Sequence, residues 1–240
     1  MTRDELAADA ATRFDGTVLA VSNNGDVSDD EKLKTPAWWL QLIDSESSES
    51  IQLALRAWEE TLPGAMRRFH EVIQEHGVDV SLVRMSTAEH AGLALQYTFD
   101  APEGREFLFG YPPDSDASPI VASLPTSVRN FYTGLHNGLH NEPVSEPVGI
   151  YKADKLIDWE TWLGEAELHY LSVPPEDPPL AKNLVMFYTD GAGGYIVINT
   201  DPHGTEAWNV GAGLFDDHPP GLWDIVDDWL ALTLTGDFIE

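Results

Sequence analysis

The amino-acid sequence predicts a globular protein that combines amphipathic helices with strands joined by short hairpin turns. Three observations support this prediction. Apolar residues make up 42% of the 240-residue chain, a normal share for a protein with a hydrophobic core. Apolar residues recur every three or four positions in several segments, which is the helical period. Two pairs of β-branched and aromatic segments are each separated by a short turn-rich link, as in β-hairpins.

The first 120 residues are predicted to place a helical pair between strands. Residues 14–22 indicate a short strand and 35–43 a short helix. A helical stripe covers 50–76, and we expect Pro63 to divide it, because an internal proline clashes with the preceding turn. Three further strands are predicted, the last two joined by the turn APEGRE, at 78–85, 91–99 and 105–111. The Pro-rich stretch that follows, at 112–119, is the clearest linker in the chain.

The second half is predicted to contain three helices and three strands. The first helix carries an apolar stripe over 124–135, with Pro125 in its first turn and Gly138 at its stop. An Asp-capped helix is predicted over 154–164 and a closing helix over 221–236. The strands are predicted at 183–189, 195–200 and 206–210, the first two joined by the turn DGAGG.

Two histidines four residues apart, His136 and His140, raise the question of a metal site. Histidines at that spacing can share one helical face and one metal ion. The intervening Asn137-Gly138 pair predicts that the helix ends between them. We therefore expect the two histidines to be structural, with His136 placed favourably near the negative end of the helix dipole.

The charge balance is the most unusual property of the composition. The chain has 13 Lys and Arg against 41 Asp and Glu, a formal net charge of −28. The excess is present in both halves, with 9 basic and 22 acidic residues in 1–120 and 4 and 19 in 121–240. Such a surface repels nucleic acid and anionic membranes and attracts cationic partners. Solubility alone is the alternative explanation.

Composition also predicts the compartment. The chain has no cysteine, which excludes disulfides and thiolate metal sites and fits a reducing environment. The first residues lack the apolar core of a signal peptide. No run approaches the roughly 18 apolar residues that a membrane-spanning helix requires. A soluble, cytoplasmic protein is expected.

The motifs that could carry chemistry give little support for catalysis. A phosphate-binding loop runs from a strand into a helix, whereas DGAGG is followed by the strand-like YIVINT, so a hairpin is favoured. Two loops, DPHG and FDDHPPG, hold potential metal ligands in spacings that match no known motif. No G-x-S-x-G nucleophile elbow is present. The sequence therefore predicts no enzyme, with no catalytic residue, cofactor or metal. A metal-dependent hydrolase that uses Asp201, His203, Asp216, Asp217 and His218 is the alternative.

Taken in order, several segments resemble the SUKH superfamily, the Smi/Knr-type cell-wall regulators and bacterial immunity proteins. They are LPTSVRNFYTGLHNG, LVMFYTDGAGGYIVINTDPHG, EAWNV and GLWDIVDDWLALT. The resemblance covers about 121–235. Tyr195 departs from it, since an acidic residue is common after the glycines in the family, and the first 120 residues have no obvious counterpart.

The resemblance implies an α+β fold, a mainly antiparallel sheet with helices packed around it. It divides the chain into an N-terminal α/β region, 1–120, and a SUKH-like domain, 121–240. The first region is expected to pack on the second or to be a diverged copy of it, because LPGAMRRF and LPTSVRNF share four residues at equal offsets. The glycines and the proline of the motifs are expected to be structural: Pro125, Gly138, Gly191, Gly193 and Gly194.

The resemblance also implies a non-catalytic protein that binds and neutralises a cognate toxin. Many such toxins are nucleases, whose substrate sites must be positive, so a basic toxin surface is the expected partner. The carboxylates expected to meet it lie on and before the closing helix: Asp216, Asp217, Asp224, Asp227 and Asp228. A regulatory scaffold without a toxin partner is a third possibility.

Overall fold

The computed structural model describes residues 1–102, 104–114, 118–141, 148–165, 180–201, 203, 206–211, 214–215 and 221–236. The helices are α1 (Arg3–Ala11), α2 (Asp29–Lys34), α3 (Ala37–Gln41), α4 (Ser47–Thr61), α5 (Arg67–His76), α6 (Pro119–Ser123), α7 (Thr126–Asn130), α8 (Trp159–Glu165) and α9 (Leu222–Thr235). The strands are β1 (Gly16–Ala20), β2 (Gly77–Thr87), β3 (Ala91–Ala101), β4 (Gly104–Gly110), β5 (Leu139–His140), β6 (Gly149–Ile150), β7 (Leu184–Thr189), β8 (Tyr195–Asn199), β9 (Ala207–Gly211) and β10 (Leu214–Phe215).

The strands form one antiparallel sheet in which spatial order equals chain order, from β1 to β10. The longest strands, β2 and β3, pair from Gly77↔Phe99 to Ser86↔Ala91 with one irregularity. The two-residue strands β5 and β6 connect the two wide parts of the sheet, since β4 pairs with β5 and β6 pairs with β7. The predicted α+β class with a mainly antiparallel sheet is confirmed.

Helices cover the sheet because alternate strand residues on each face are apolar. The main core lies on one face, where side chains of α3, α4, α5, α7 and α9 meet the sheet; it includes Trp58, Tyr97, Phe131, Phe187 and Leu230. On the opposite face, α1 packs over β1–β4 through Ala7, Ala10, Val83 and Phe107. Trp159 of α8 packs on β7–β9.

The predicted boundary at residue 120 lies within this continuous sheet. Phe109 and Gly110 of β4 pair with His140 and Leu139 of β5, and the main core contains residues from both halves. The echoed Leu-Pro segments also differ locally. Helix α7 begins directly after Pro125, whereas α5 begins four residues after Pro63. The duplication remains a prediction.

Most predicted elements are present, with one clear error in a helix boundary. The stripe over 50–76 is divided into α4 and α5 by the link that contains Pro63, as predicted. The helix predicted over 154–164 begins only at Trp159, after a separate short turn. Asp158 accepts a hydrogen bond from Thr161 N at 2.8 Å, so the capping aspartate is the second of the two in the segment.

None of the helices in the described part of the chain combines the length and the apolarity that a membrane crossing demands.

Candidate functional site

The closing helix α9 carries three of the carboxylates predicted to bind a partner. Its apolar face packs as predicted, with Leu222, Ile225 and Val226 buried in the main core. Trp229 is only half-buried, with its ring centroid 5.3 Å from that of Tyr188. The helix ends at Gly236, whose φ of 69° is the left-handed conformation expected of a glycine cap.

Asp227 does not face solvent, and the prediction that it does was wrong. Its side chain is buried and its carboxylate accepts hydrogen bonds from Arg68 N at 2.9 Å and Phe69 N at 2.7 Å. These are N–H groups in the first turn of α5, which have no acceptor within their own helix. The N-cap residue of α5, Met66, has no side-chain oxygen and adopts a φ of 58°. Asp227 therefore caps a helix that is distant in the sequence.

The electrostatic surroundings of Asp227 contain opposing effects. Burial raises the pKa of its carboxyl group, while the two donated N–H bonds oppose that rise. Its neighbour Asp228 pairs with the Arg68 guanidinium at 2.6 Å. Asp224 is exposed. The remaining two predicted partner-binding residues, Asp216 and Asp217, lie outside the described residues.

An acidic ridge that the sequence analysis did not single out lies before and at the start of α4. We use this name for five exposed carboxylates, Asp26, Asp30, Asp44, Glu46 and Glu49. Asn24 Nδ2 donates to Asp44 Oδ2 at 3.2 Å and so brings the turn that carries Asp26 next to the start of α4. Among the described residues, no cation lies within the 4.0 Å of an ion pair from any of the five.

The sequence contains two acidic runs that contribute to the ridge, but a tertiary contact is needed to bring them together. Runs of acidic and small polar residues at 23–30 and 44–50 are typical of solvent-exposed loops and helix starts. Carboxylates are favourable in a first helical turn, and this local role is sufficient to explain Glu49. Only the hydrogen bond between Asn24 and Asp44 joins the two runs into one surface.

His136 directly follows the last helical residue, and its ring lies in an aromatic enclosure. Five rings surround it at centroid distances of 5.6–6.2 Å, those of Trp38, Trp39, Trp58, Tyr97 and Phe131. Its Nε2 lies 2.7 Å from the Tyr97 hydroxyl, which also accepts from Trp58 Nε1 at 3.1 Å. Burial lowers the pKa of His136 to about 3, so the ring is neutral at pH 7. A charge interaction with the helix dipole, as expected from the sequence, is therefore excluded.

His140 is equally buried but contacts other side chains. Helix α7 continues into a wider helical turn over Phe131–Leu135. This turn ends before His136, and His140 lies on β5, so the prediction that the two histidines share no helical face is confirmed. The His140 ring is 5.2 Å from Tyr111, and burial lowers its pKa to about 3. Between them, Gly138 has a φ of 92°, and a Cβ there would lie 3.0 Å from Lys152 N. Glycine is needed at this turn, as predicted.

The loop DGAGG is a hairpin turn between β7 and β8, as predicted. Asp190 Oδ1 accepts from Ala192 N and Gly194 N, both at 2.7 Å. The loop therefore satisfies its own N–H groups, which a phosphate would otherwise have to do. Gly191 and Gly193 adopt positive φ, and a Cβ on Gly194 would collide with the Asp190 carboxylate.

The loops proposed as metal ligands are only partly described. His203 N donates to Asp201 Oδ1 at 3.0 Å, which is a local turn contact. Asp216, Asp217 and His218 lie outside the described residues. Within the described ranges, no group of three His, Asp or Glu side chains is placed to hold a metal ion.

A scan of the chain against protein-family models found no match, and searches among characterised proteins and solved structures found no similar chain. Membership of the SUKH superfamily therefore remains a prediction from the order of the motifs.

Proposed function

We propose that this protein is a non-catalytic, cytoplasmic immunity protein that neutralises a basic protein toxin by binding it stoichiometrically. The observation that supports the proposal is the acidic ridge, whose five exposed carboxylates have no ion-pair partner among the described residues. Opposite charges within ion-pair distance would reduce the repulsion between these carboxylates. Arg84 lies beside Asp26, but the five carboxylates still leave the ridge with an excess of negative charge that is complementary to a cationic surface.

The physical gain from such a ridge is mainly in the rate of association. A net charge of −28 attracts a basic partner before contact, and charge complementarity raises association rates more than it slows dissociation. At 0.15 M salt the Debye length is about 8 Å, so steering acts near the surface. A nuclease toxin has a positive substrate site, which the ridge would cover in place of nucleic acid.

The roles of the closing-helix carboxylates follow from their contacts. Asp224 is exposed and remains a candidate contact, and Asp228 could exchange Arg68 for a cation of the toxin. Asp227 is assigned to helix capping. The role of Asp216 and Asp217 in binding stays a prediction from the sequence.

The direct test is co-expression with the product of the adjacent gene in the genome of origin. We expect that product to arrest growth alone, to lose toxicity when this protein is present, and to co-purify with it at a 1:1 ratio. Toxicity relieved without a complex would instead favour an enzymatic or regulatory mechanism.

The ridge is tested with the triple variant Asp44→Asn/Glu46→Gln/Glu49→Gln. Its matched control, Glu60→Gln/Glu71→Gln/Glu75→Gln, removes three exposed charges elsewhere. We expect the ridge variant to associate with the toxin at least ten times more slowly at 0.05 M salt, and the control to change the rate less than threefold. Equal slowing by both variants would mean that only the net charge matters.

A further inference from the structure

An open cleft of about 960 Å³ lies on the surface where several turns meet. It is lined by residues 33–36 at the end of α2 and in the link to α3, 89–91 at the turn into β3, and 111–114 after β4. Asn137 and Lys152 close its remaining sides. The volume is within the range of small-molecule sites, and neither the ridge nor α9 contributes to it.

The central feature of the cleft is the half-buried ammonium group of Lys152. Its Nζ lies 3.8 Å from the centroid of the Tyr111 ring and donates to the Glu89 backbone oxygen at 3.2 Å. In the described ranges, no carboxylate lies within 4.0 Å of this nitrogen. Burial lowers the pKa of Lys152, and the negative charges of Asp154 and Glu89 partly oppose this shift. An ammonium has three donors, so capacity for an acceptor remains.

The surroundings of Lys152 favour an anion over a cation. The face of Tyr111, which a ligand cation would otherwise occupy, is already covered by Lys152. The Asn137 Oδ1 accepts from Ala153 N at 2.8 Å, which leaves the N–H donors of that amide for a ligand. Glu89 is paired with Lys155 at 3.8 Å. Lys34 adds a second cation at the rim.

The charge and shape of the ligand follow from the other walls. Asp114 and Asp154 also border the cleft, so a doubly charged anion would meet about twice the repulsion that a singly charged one meets. Pro36, Pro112 and Pro113 form apolar walls. Tyr111 is 2% exposed and lies beneath Lys152, and its hydroxyl has no hydrogen-bond partner among the described residues.

We propose that this cleft binds a small organic carboxylate, with the carboxylate on Lys152 and Asn137 and an apolar body against the proline walls. The site is independent of toxin binding, because it shares no residue with the acidic ridge or α9.

The test is calorimetric titration of the full chain with three probes at constant ionic strength. Benzoate has one charge and an apolar body, acetate has the charge alone, and phenyl phosphate has the body with a larger charge. We expect benzoate to bind at least ten times more tightly than acetate and more tightly than phenyl phosphate. Benzoate binding no tighter than acetate, or weaker than phenyl phosphate, would overturn the proposal.

Variants assign the binding to these residues. Lys152→Met keeps the aliphatic stem and removes the charge. Asn137→Asp keeps the acceptor for Ala153 N and replaces the donors by a negative charge, without touching the contact between Lys152 and Tyr111. Each is expected to weaken benzoate binding at least tenfold, while Lys182→Met, an exposed lysine outside the cleft, leaves it unchanged. If Asn137→Asp is folded by circular dichroism and binds benzoate as the parent does, the site is not the one proposed.

Discussion

Helices α2 and α5 satisfy the N–H groups of their first turns in different ways. Helix α2 is capped locally, since Ser28 Oγ accepts from Glu31 N while Glu31 accepts from Ser28 N. Helix α5 begins at Met66, which offers no side-chain acceptor, and its first N–H groups are satisfied by Asp227 from α9. The cap of α2 is encoded by four consecutive residues. The cap of α5 requires α9 to pack against it in the folded protein.

This difference shows that a carboxylate can stabilise the fold of this acidic chain either at the surface or when buried. Glu31 is partly exposed and is also paired with Arg84 at 2.6 Å, and together with its hydrogen bonds this lowers its pKa to about 2. Asp227 is buried, and burial raises its pKa. Two capping carboxylates thus have pKa values displaced in opposite directions, because Arg84 pairs with Glu31 whereas burial dominates at Asp227.

The largest expected effect is the loss of the distant cap. Asp227→Ala should lower the free energy of unfolding by about 2–3 kcal/mol, since it leaves two buried N–H groups without a charged acceptor. Asp224→Ala, three residues away and exposed, should change it by less than about 0.5 kcal/mol. Urea unfolding followed by tryptophan fluorescence measures both. Equal losses of unfolding free energy in the two variants would contradict the different roles given to Asp224 and Asp227.

Loss of the local cap of α2 should lower the free energy of unfolding by less than loss of the cap of α5. Ser28→Ala should cost about 1 kcal/mol, a typical value for an N-cap serine. Ser22→Ala, at an exposed position outside a helix, serves as the control and should be close to neutral. A loss at Ser28 as large as that at Asp227 would contradict the comparison.

The two carboxylates should also respond oppositely to acid. The unfolded chain protonates Glu31 near its ordinary value of 4.5, before the folded protein does near 2, so its stabilisation is complete above pH 4.5 and is lost toward pH 2. For Asp227 the folded protein binds the proton first, so acidification toward its ordinary value of 3.8 favours the fold.

Unfolding curves between pH 7 and pH 3 measure this contrast. The stability gap between the parent and Glu31→Gln should narrow as the pH falls, by about 0.5–1 kcal/mol for a partly exposed pair. The difference in unfolding free energy between the parent and Asp227→Asn should increase as the pH falls. Two gaps that move in the same direction would show that burial does not set the pKa of Asp227.

The smallest effect is expected at α1, where Thr2 and Glu5 form a second local capping box. Thr2→Ala should cost about 0.5 kcal/mol, at the low end for N-caps. Arg3 holds the same helix end independently, through its ion pair with the buried Asp79 at 2.9 Å. A larger loss would mean that this ion pair does not anchor the helix, and Arg3→Met is the variant that checks it.

How much could be predicted from the sequence differs between elements and contacts. The division of the 50–76 stripe, the APEGRE and DGAGG hairpins and the stop at Gly138 follow from proline, glycine and periodicity, which act within a few residues. The late start of α8 could not be predicted from the sequence, because either Asp154 or Asp158 could cap the helix by local rules. The α+β class required the order of the segments as well as their individual patterns.

The candidate site was less predictable, for a physical reason. Periodicity shows which side of α9 is apolar, but it does not show that the first turn of α5 lies against the other side and covers Asp227. The acidic ridge and the Lys152 cleft likewise join residues that are far apart in the chain. Asp224 is exposed, as expected for a carboxylate on the polar side of the helix.

The order of the strands has a consequence for the way the chain is made. In a sheet whose spatial order follows the sequence, each strand pairs with the segment synthesised just before it, so most of the sheet can assemble on a growing chain. The cap of α5 is the exception. Its carboxylate lies 159 positions further along than Arg68, so the first turn of α5 remains without its acceptor until translation has passed α9. A released chain that stopped before Leu222 would therefore contain all ten strands but leave the first turn of α5 without its acceptor.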